Sequence, residues 1–299
     1  EETGHPKGLI PRGYPLLTLG IDCQGDRVEV QAVAFGPNRR RAVVDYIVVS
    51  GNITESETRD ELDRVVTRLW VNEAGRKIAP DLVAIDGNAY TDDVFDWAKH
   101  YSRSQVIMVR GVHPDTAEII APVRRDAEGK GKRRRTRTFG NRFFNVGVSV
   151  LKGTLYEFLK RTDPLSRGFV AFARGLGTEY FEQLCSETRK EVATKGGRRV
   201  WRWTPKPNMA NEALDTMNYA EAAATLKGWT RWDDAAWDAL IEERETPPAT
   251  PGEQLDMEHL LLTSRPGQAA LPARSEPEKP SPPPVPVPPP ARDWTSRLA

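Results

Sequence analysis

Leu16-Leu-Thr-Leu-Gly-Ile-Asp-Cys-Gln-Gly-Asp-Arg-Val-Glu-Val-Gln-Ala-Val-Ala-Phe35 decides the fold. Its first half is a short apolar run ending in Gly20, Ile21 and Asp22, and its second half, from Arg27, alternates polar and apolar residues with the period of a strand. Gln24-Gly25-Asp26 between them supplies turn chemistry, so the whole reads as a β-hairpin. Asp22 then stands at the exit of a buried strand, where a carboxylate is costly unless it is hydrogen-bonded or holds a metal.

Working outward, residues 1–15 are rich in Gly and Pro and read as a linker into the domain. Arg41 to Val49 gives a third strand, completing an antiparallel meander. Thr54 and Glu57 have capping-box spacing and open a helix with Leu62, Val65, Val66, Leu69 and Trp70 on one face, stopping near Gly75. Asp81 to Asp86 is a brief apolar strand that again ends in an aspartate. A helix over 91–101 and a strand over 105–109 follow. This order predicts an α/β fold: a mixed sheet with a three-strand antiparallel meander and later parallel strands joined by helical crossovers, flanked by helices.

Residues 111–142 break the pattern. Arg124 and Arg125, then Lys130, Lys132, Arg133, Arg134, Arg135 and Arg137, form a Gly-interrupted basic run with no apolar periodicity, expected to be a mobile loop or a hairpin arm. Such runs are usually solvated loops; beside a site that acts on a polyanion they would contact phosphates. A helix over 148–161 carries Lys152 in its first turns. A strand at 168–173, a short helix at 178–185 and a second hairpin over 187–194 and 199–204 come next. Trp201 and Trp203 on that hairpin read as packing residues rather than base-stacking ones. A long helix over 208–226 ends at Gly228, and a last helix runs from Asp233 to about Glu243. From Thr246 proline dominates, so 246–299 is expected to be largely disordered or polyproline II. The domain is thus 16–245.

The 299 residues, with 38% of them hydrophobic, suit a globular core, and the net charge of +1 excludes a global basic field. No apolar run approaches the ~18 residues of a membrane span, and no signal-peptide pattern opens the chain. Cys23 and Cys185 imply no disulfide framework, which fits a reducing cytosol. The histidines lack zinc-site spacing and no Cys-x-x-Cys occurs, so carboxylates should hold any metal.

Strands one and four of this order can lie side by side with Asp22 and Asp86 at one edge, and Asp215 on the late helix can join them. Taken singly each acid is as well explained as a turn, cap or surface residue; the trio, placed by one topology, is a site. Neighbouring carboxylates repel and need cations, and two Mg²⁺ or Mn²⁺ ions would suit oxygen ligands and phosphodiester hydrolysis. Glu212, one turn before Asp215, is a further candidate ligand. Lys152 is either a surface lysine or a phosphate contact.

Leu-Gly-Ile-Asp-Cys-Gln-Gly-Asp-Arg-Val-Glu-Val (19–30) resembles the opening of the nuclease domain of lambda-type (GpA family) phage terminase large subunits. Ala84-Ile-Asp-Gly, Val148-Ser-Val-Leu-Lys-Gly-Thr-Leu-Tyr, Tyr180-Phe-Glu-Gln-Leu-Cys-Ser-Glu and Asn211-Glu-Ala-Leu-Asp-Thr-Met-Asn-Tyr-Ala-Glu-Ala-Ala resemble its later blocks in the same order, spanning 16–228. The resemblance implies an RNase H-like fold and a metal-dependent endonuclease that cuts concatemeric double-stranded viral DNA, with Asp22, Asp86 and Asp215 on the acidic positions and Lys152 in a matching block. Glu212, Glu187 and Glu179 compete for the third acid. It further implies portal protein and small terminase subunit as partners, and action in the host cytoplasm, transiently on the procapsid portal. An ATPase motor domain accompanies such nucleases. No Gly-x-x-x-x-Gly-Lys-Ser/Thr loop occurs here, so the chain is expected to be a C-terminal fragment without that motor. Two other classes stay open: an actin- or sugar-kinase-like ATPase, because Asp22-Cys-Gln-Gly25 also suits a phosphate-binding hairpin, and a non-catalytic DNA- and portal-docking module.

Overall fold

The computed structural model describes residues 4–123, 139–193, 197 and 199–248. The basic residues Arg124, Arg125, Lys130, Lys132, Arg133, Arg134, Arg135 and Arg137 and almost all of the Pro-rich tail lie outside the described residues. Strands are β1 (Leu9–Ile10), β2 (Leu16–Cys23), β3 (Arg27–Phe35), β4 (Arg41–Ser50), β5 (Trp70–Asn72), β6 (Lys77–Ile78), β7 (Leu82–Asp86), β8 (Val106–Val112), β9 (Ile120–Pro122), β10 (Phe143–Gly147), β11 (Val170–Phe172), β12 (Glu187–Ala193) and β13 (Arg199–Pro205). Helices are α1 (Ser56–Val66), α2 (Thr91–Ala98), α3 (Val148–Phe158), α4 (Thr178–Leu184), α5 (Glu212–Lys227) and α6 (Asp234–Glu245).

The hairpin β2–β3 and its neighbour β4 form the expected antiparallel meander, pairing Leu16 with Phe35 and Asp22 with Glu29. β7 lies parallel to β2, with Ile21 opposite Ile85, and β8 and β10 continue in parallel. The sheet order is β11-β4-β3-β2-β7-β8-β10-β9. This is the expected mixed, helix-flanked sheet, with β2 and β7 side by side near its centre.

Period-2 alternation divides β2 between the two faces. Leu17, Leu19, Ile21 and Cys23 pack with Leu62, Val65 and Val66 of α1 and Val94 and Trp97 of α2. Thr18, Gly20 and Asp22 take the other face, against α5: the Thr18 hydroxyl donates to the Ala220 carbonyl at 2.8 Å. On β7, Leu82 and Ala84 likewise pack with Tyr219, Ala222 and Ala223 of α5, so Asp86, two residues on, shares that face. α5 is buried almost all round, and its alanines let it lie close to the strands. The approach is tightest at Gly20, where a Cβ would stand 1.9 Å from the Thr216 carbonyl oxygen. Gly228, at φ +99°, ends α5 in the left-handed conformation that favours glycine.

Four local expectations are corrected. α1 starts at Ser56 behind Glu55, not in a Thr54 capping box, because the Thr54 N–H is taken by Asn52 Oδ1 at 2.9 Å. Trp70 leaves the helix and opens β5, where it is fully buried, because β5 pairs with β1. The 1–15 segment does more than lead into the domain: Leu9–Ile10 forms that partner strand, and Ile10 and Tyr14 are buried. Within 111–142, β8 extends to Val112 and β9 pairs antiparallel with β10 at the sheet edge, so part of the described flanks is strand rather than loop. Arg142, from the end of that segment, is buried and donates to the carbonyls of Val106 at 2.6 Å and Tyr101 at 2.7 Å. Among the described residues no helix is long and apolar enough to cross a membrane.

Candidate active site

Each acid arrives on a different element. Asp22 lies one residue before the end of β2, Asp86 ends β7, and Asp215 sits in the first turn of α5 rather than in mid-helix. Parallel pairing of β2 with β7 brings the two strand ends to one edge, and α5 lays its N-terminal turn over them. Carboxylates in a first helical turn also meet the positive end of the helix dipole.

Asp22 is buried and accepts one hydrogen bond, from Gln24 Nε2 at 2.6 Å. Burial, reinforced by the nearby charges of Asp215 and Asp86, pushes its carboxyl up to about 8. Burial also raises Asp86, to about 6; the Asn88 N–H, at 3.2 Å from Oδ1, opposes the rise and Asp215 adds to it. Asp215 is raised by burial as well, against the pull of Lys152. The three aspartates therefore feel one another, and positive charge beside them would relieve the repulsion.

Lys152 is no surface lysine. It is buried on α3, with Nζ 2.7 Å from Glu187 Oε1 and 3.1 Å from Asp215 Oδ1. Asn211, at the N-cap of α5, donates to the same Glu187 oxygen at 3.1 Å and to Asp215 Oδ2 at 2.9 Å. The structure thus brings together Asp22, Asp86, Asp215, Lys152, Glu187 and Glu212, whereas Glu179 is exposed on α4. Glu29 and Arg27, which the sequence reading passed over, border the group. Glu29 stands opposite Asp22 because the hairpin closes tightly at Gly25-Asp26, with the Gln24 N–H donating to the Arg27 carbonyl at 2.9 Å; a three-residue turn over 24–26 would have put Val28 there.

Beside Lys152 and Glu187 opens a cavity of about 330 Å³, also lined by His113, Ser149, Arg202 and Trp203. Trp203 stacks on Tyr156 at 5.1 Å and donates from Nε1 to the Ser149 carbonyl at 3.0 Å, the packing role expected of it. Trp201 instead is exposed.

Among the described residues no three His, Cys, Asp or Glu side chains converge tightly enough to hold a metal ion as they stand. The donor set still fits a hard divalent cation in chemistry and charge, because every candidate donor is a carboxylate oxygen. Glu212 also keeps Oε2 buried without a hydrogen-bond partner, an acceptor with unused capacity beside Asp22 and Asp215.

Fold and site together define an α/β domain built on a mixed sheet, with a carboxylate group where its central parallel strands end. The chain belongs to the family of the terminase large subunit gpA endonuclease domain, whose model matches residues 2–237. It is 24% identical over 255 residues to the terminase large subunit of Escherichia phage lambda, a match covering 82% of this chain and 38% of that protein. It is 27% identical over 253 residues to the terminase large subunit of Enterobacteria phage P21, covering 81% and 37%. The chain therefore spans well under half the length of the curated relatives it matches. A solved structure similar to it is the nuclease domain of the large terminase g2p of bacteriophage SPP1 with bound Mn. There the identity is 11% and the TM-score 0.32, over 73% of this chain and 97% of that one.

Proposed function

We propose that this chain is the metal-dependent endonuclease domain of a viral DNA-packaging terminase, hydrolysing phosphodiester bonds of concatemeric double-stranded DNA. The observation that carries this reading is the gathering of Asp22, Asp86 and Asp215 at one sheet edge, their carboxyls raised by burial and, for Asp22 and Asp86, by the charge of neighbouring aspartates. Such a group is at ease only with positive charge beside it. Asp22, Asp86 and Asp215, with Glu212, would hold two Mg²⁺ or Mn²⁺ ions. When bound, such ions supply Lewis acidity and a lowered water pKa for in-line displacement at phosphorus.

The chain's own residues have separable tasks. Gln24 and the Asn88 N–H orient Asp22 and Asp86. Lys152 balances Glu187 and Asp215, and from the lining of the adjoining cavity it would meet a phosphate oxygen. The basic run 124–137 would track the DNA backbone. Portal protein, small terminase subunit and an ATPase motor domain are the proposed partners, and the host cytoplasm, transiently at the procapsid portal, the proposed place of action.

The test is cleavage of supercoiled plasmid with Mg²⁺, Mn²⁺ or EDTA by wild type, Asp22→Asn, Asp86→Asn and Asp215→Asn, each checked by circular dichroism. Metal-dependent cutting is expected in wild type, with each variant losing more than the roughly 10–100-fold that outer-shell partners are worth. Undiminished cutting by folded Asp215→Asn would move the third ligand elsewhere. DNA binding with no cutting under any metal would favour the docking module instead.

A further inference from the structure

One carboxylate at the site is held in an unusual way. Glu29 stands opposite Asp22 across the hairpin, only 2% exposed. Arg27, two residues earlier on the same face, donates from Nε to Glu29 Oε1 at 2.6 Å and from Nη2 to Glu212 Oε1 at 2.9 Å; Nη1 reaches Asp26 Oδ1 at 2.8 Å. The Tyr46 hydroxyl donates to the other Glu29 oxygen. Gln183 Oε1 accepts the Ala213 N–H at 3.1 Å, fixing the backbone next to Glu212. Glu212 is thus clamped through Oε1, while Oε2 is buried with no hydrogen-bond partner, and the Glu212 carboxylate as a whole is near enough for its charge to raise both Asp22 and Asp215. A buried acceptor left unmade is costly, more so when charged, unless something fills it. Glu187, by contrast, is already engaged through Oε1 by Lys152 and Asn211.

We infer that Arg27, anchored on Glu29, is a positioning residue that presents Glu212 Oε2 to the aspartates as a divalent-cation donor, leaving Glu187 as the partner of Lys152. This rests on the metal-dependent reading above and adds to it the device that aims one ligand. Fixed outer-shell partners of this kind typically govern metal affinity by 10–100-fold.

The test is Mn²⁺ binding to the full chain by electron paramagnetic resonance and calorimetry, without DNA. Glu212→Gln and Arg27→Ala should each weaken binding roughly 10-fold or more. Arg27→Lys should recover part of the loss, and Glu187→Gln should weaken binding less than either. The double variant Arg27→Ala with Glu212→Gln should bind no worse than Glu212→Gln alone, because the two act as one unit. If Arg27→Ala leaves Glu29 unpaired and does not fold, Arg27→Met with Glu29→Gln removes both charges and answers the same question. Wild-type affinity in Arg27→Ala, or additive losses in the double variant, would overturn the positioning role alone. Absence of Mn²⁺ binding in wild type would overturn the metal-dependent reading, and this one with it.

Discussion

Asp22 shows how one residue can oppose its own fold. Its carboxyl lies at about 8, far above the ~3.9 of an unfolded aspartate. Between those values the native chain binds more protons than the unfolded one, so the metal-free protein loses stability as pH rises through that window. Asp86, at about 6, adds the same sign over a narrower range. Asp22→Asn should therefore stabilise the metal-free protein at pH 8 by about 1–2 kcal/mol, the worth of roughly one pK unit of relieved repulsion, and by less at pH 5. Urea denaturation in EDTA at both pH values measures this, and a variant less stable than wild type at pH 8 would contradict it.

At the scale of the element, α5 governs the site. It brings Glu212 and Asp215 to the sheet, and it can do so because β2 has no side chain at Gly20. A Cβ there would also lie 2.7 Å from the Ala220 nitrogen, and both close contacts are helix backbone that cannot turn aside. Gly20→Ala should push α5 outward, costing about 1–3 kcal/mol by overpacking and weakening divalent-cation binding although no ligand is altered. Denaturation together with Mn²⁺ titration would separate this from a purely local loss. Wild-type stability and affinity would mean that the contact is slack.

Across the whole molecule, the far half of α5 is pinned by a buried ion pair, Arg41 Nη2 to Glu221 Oε1 at 2.9 Å, with the guanidinium over the rings of Phe158 and Trp229. Burial lowers Arg41 and raises Glu221, and the charge of each opposes the other's shift. Glu221→Gln should cost about 3–5 kcal/mol by stranding a buried cation. Neutralising the exposed Glu157 partner of Lys160 should leave stability almost unchanged. Thermal or urea denaturation compares the two directly. A mild Glu221→Gln would show that water reaches Arg41.

Local pattern was enough for the hairpin, the β7 aspartate and the long helix to Gly228, because alternation over 27–35 and a glycine stop are written within a few residues. Asp22 and Asp86 could be placed at one edge because the order of elements admits few topologies. What local pattern could not show is how side chains far apart in the chain meet. Lys152 could be read as a surface lysine or a phosphate contact, and only packing of α3 against α5 buries it between Glu187 and Asp215. Trp70 followed a helical period, yet β1, from a segment with linker composition, draws it into a strand. Arg27 and Glu29 read as the polar side of a hairpin, and they border the site only because α5 covers that face. Sequence determined the hairpin, β7 and α5, and with them where the acids enter. The tertiary structure alone decided which charges neutralise which, because pairing depends on distance and burial across the core.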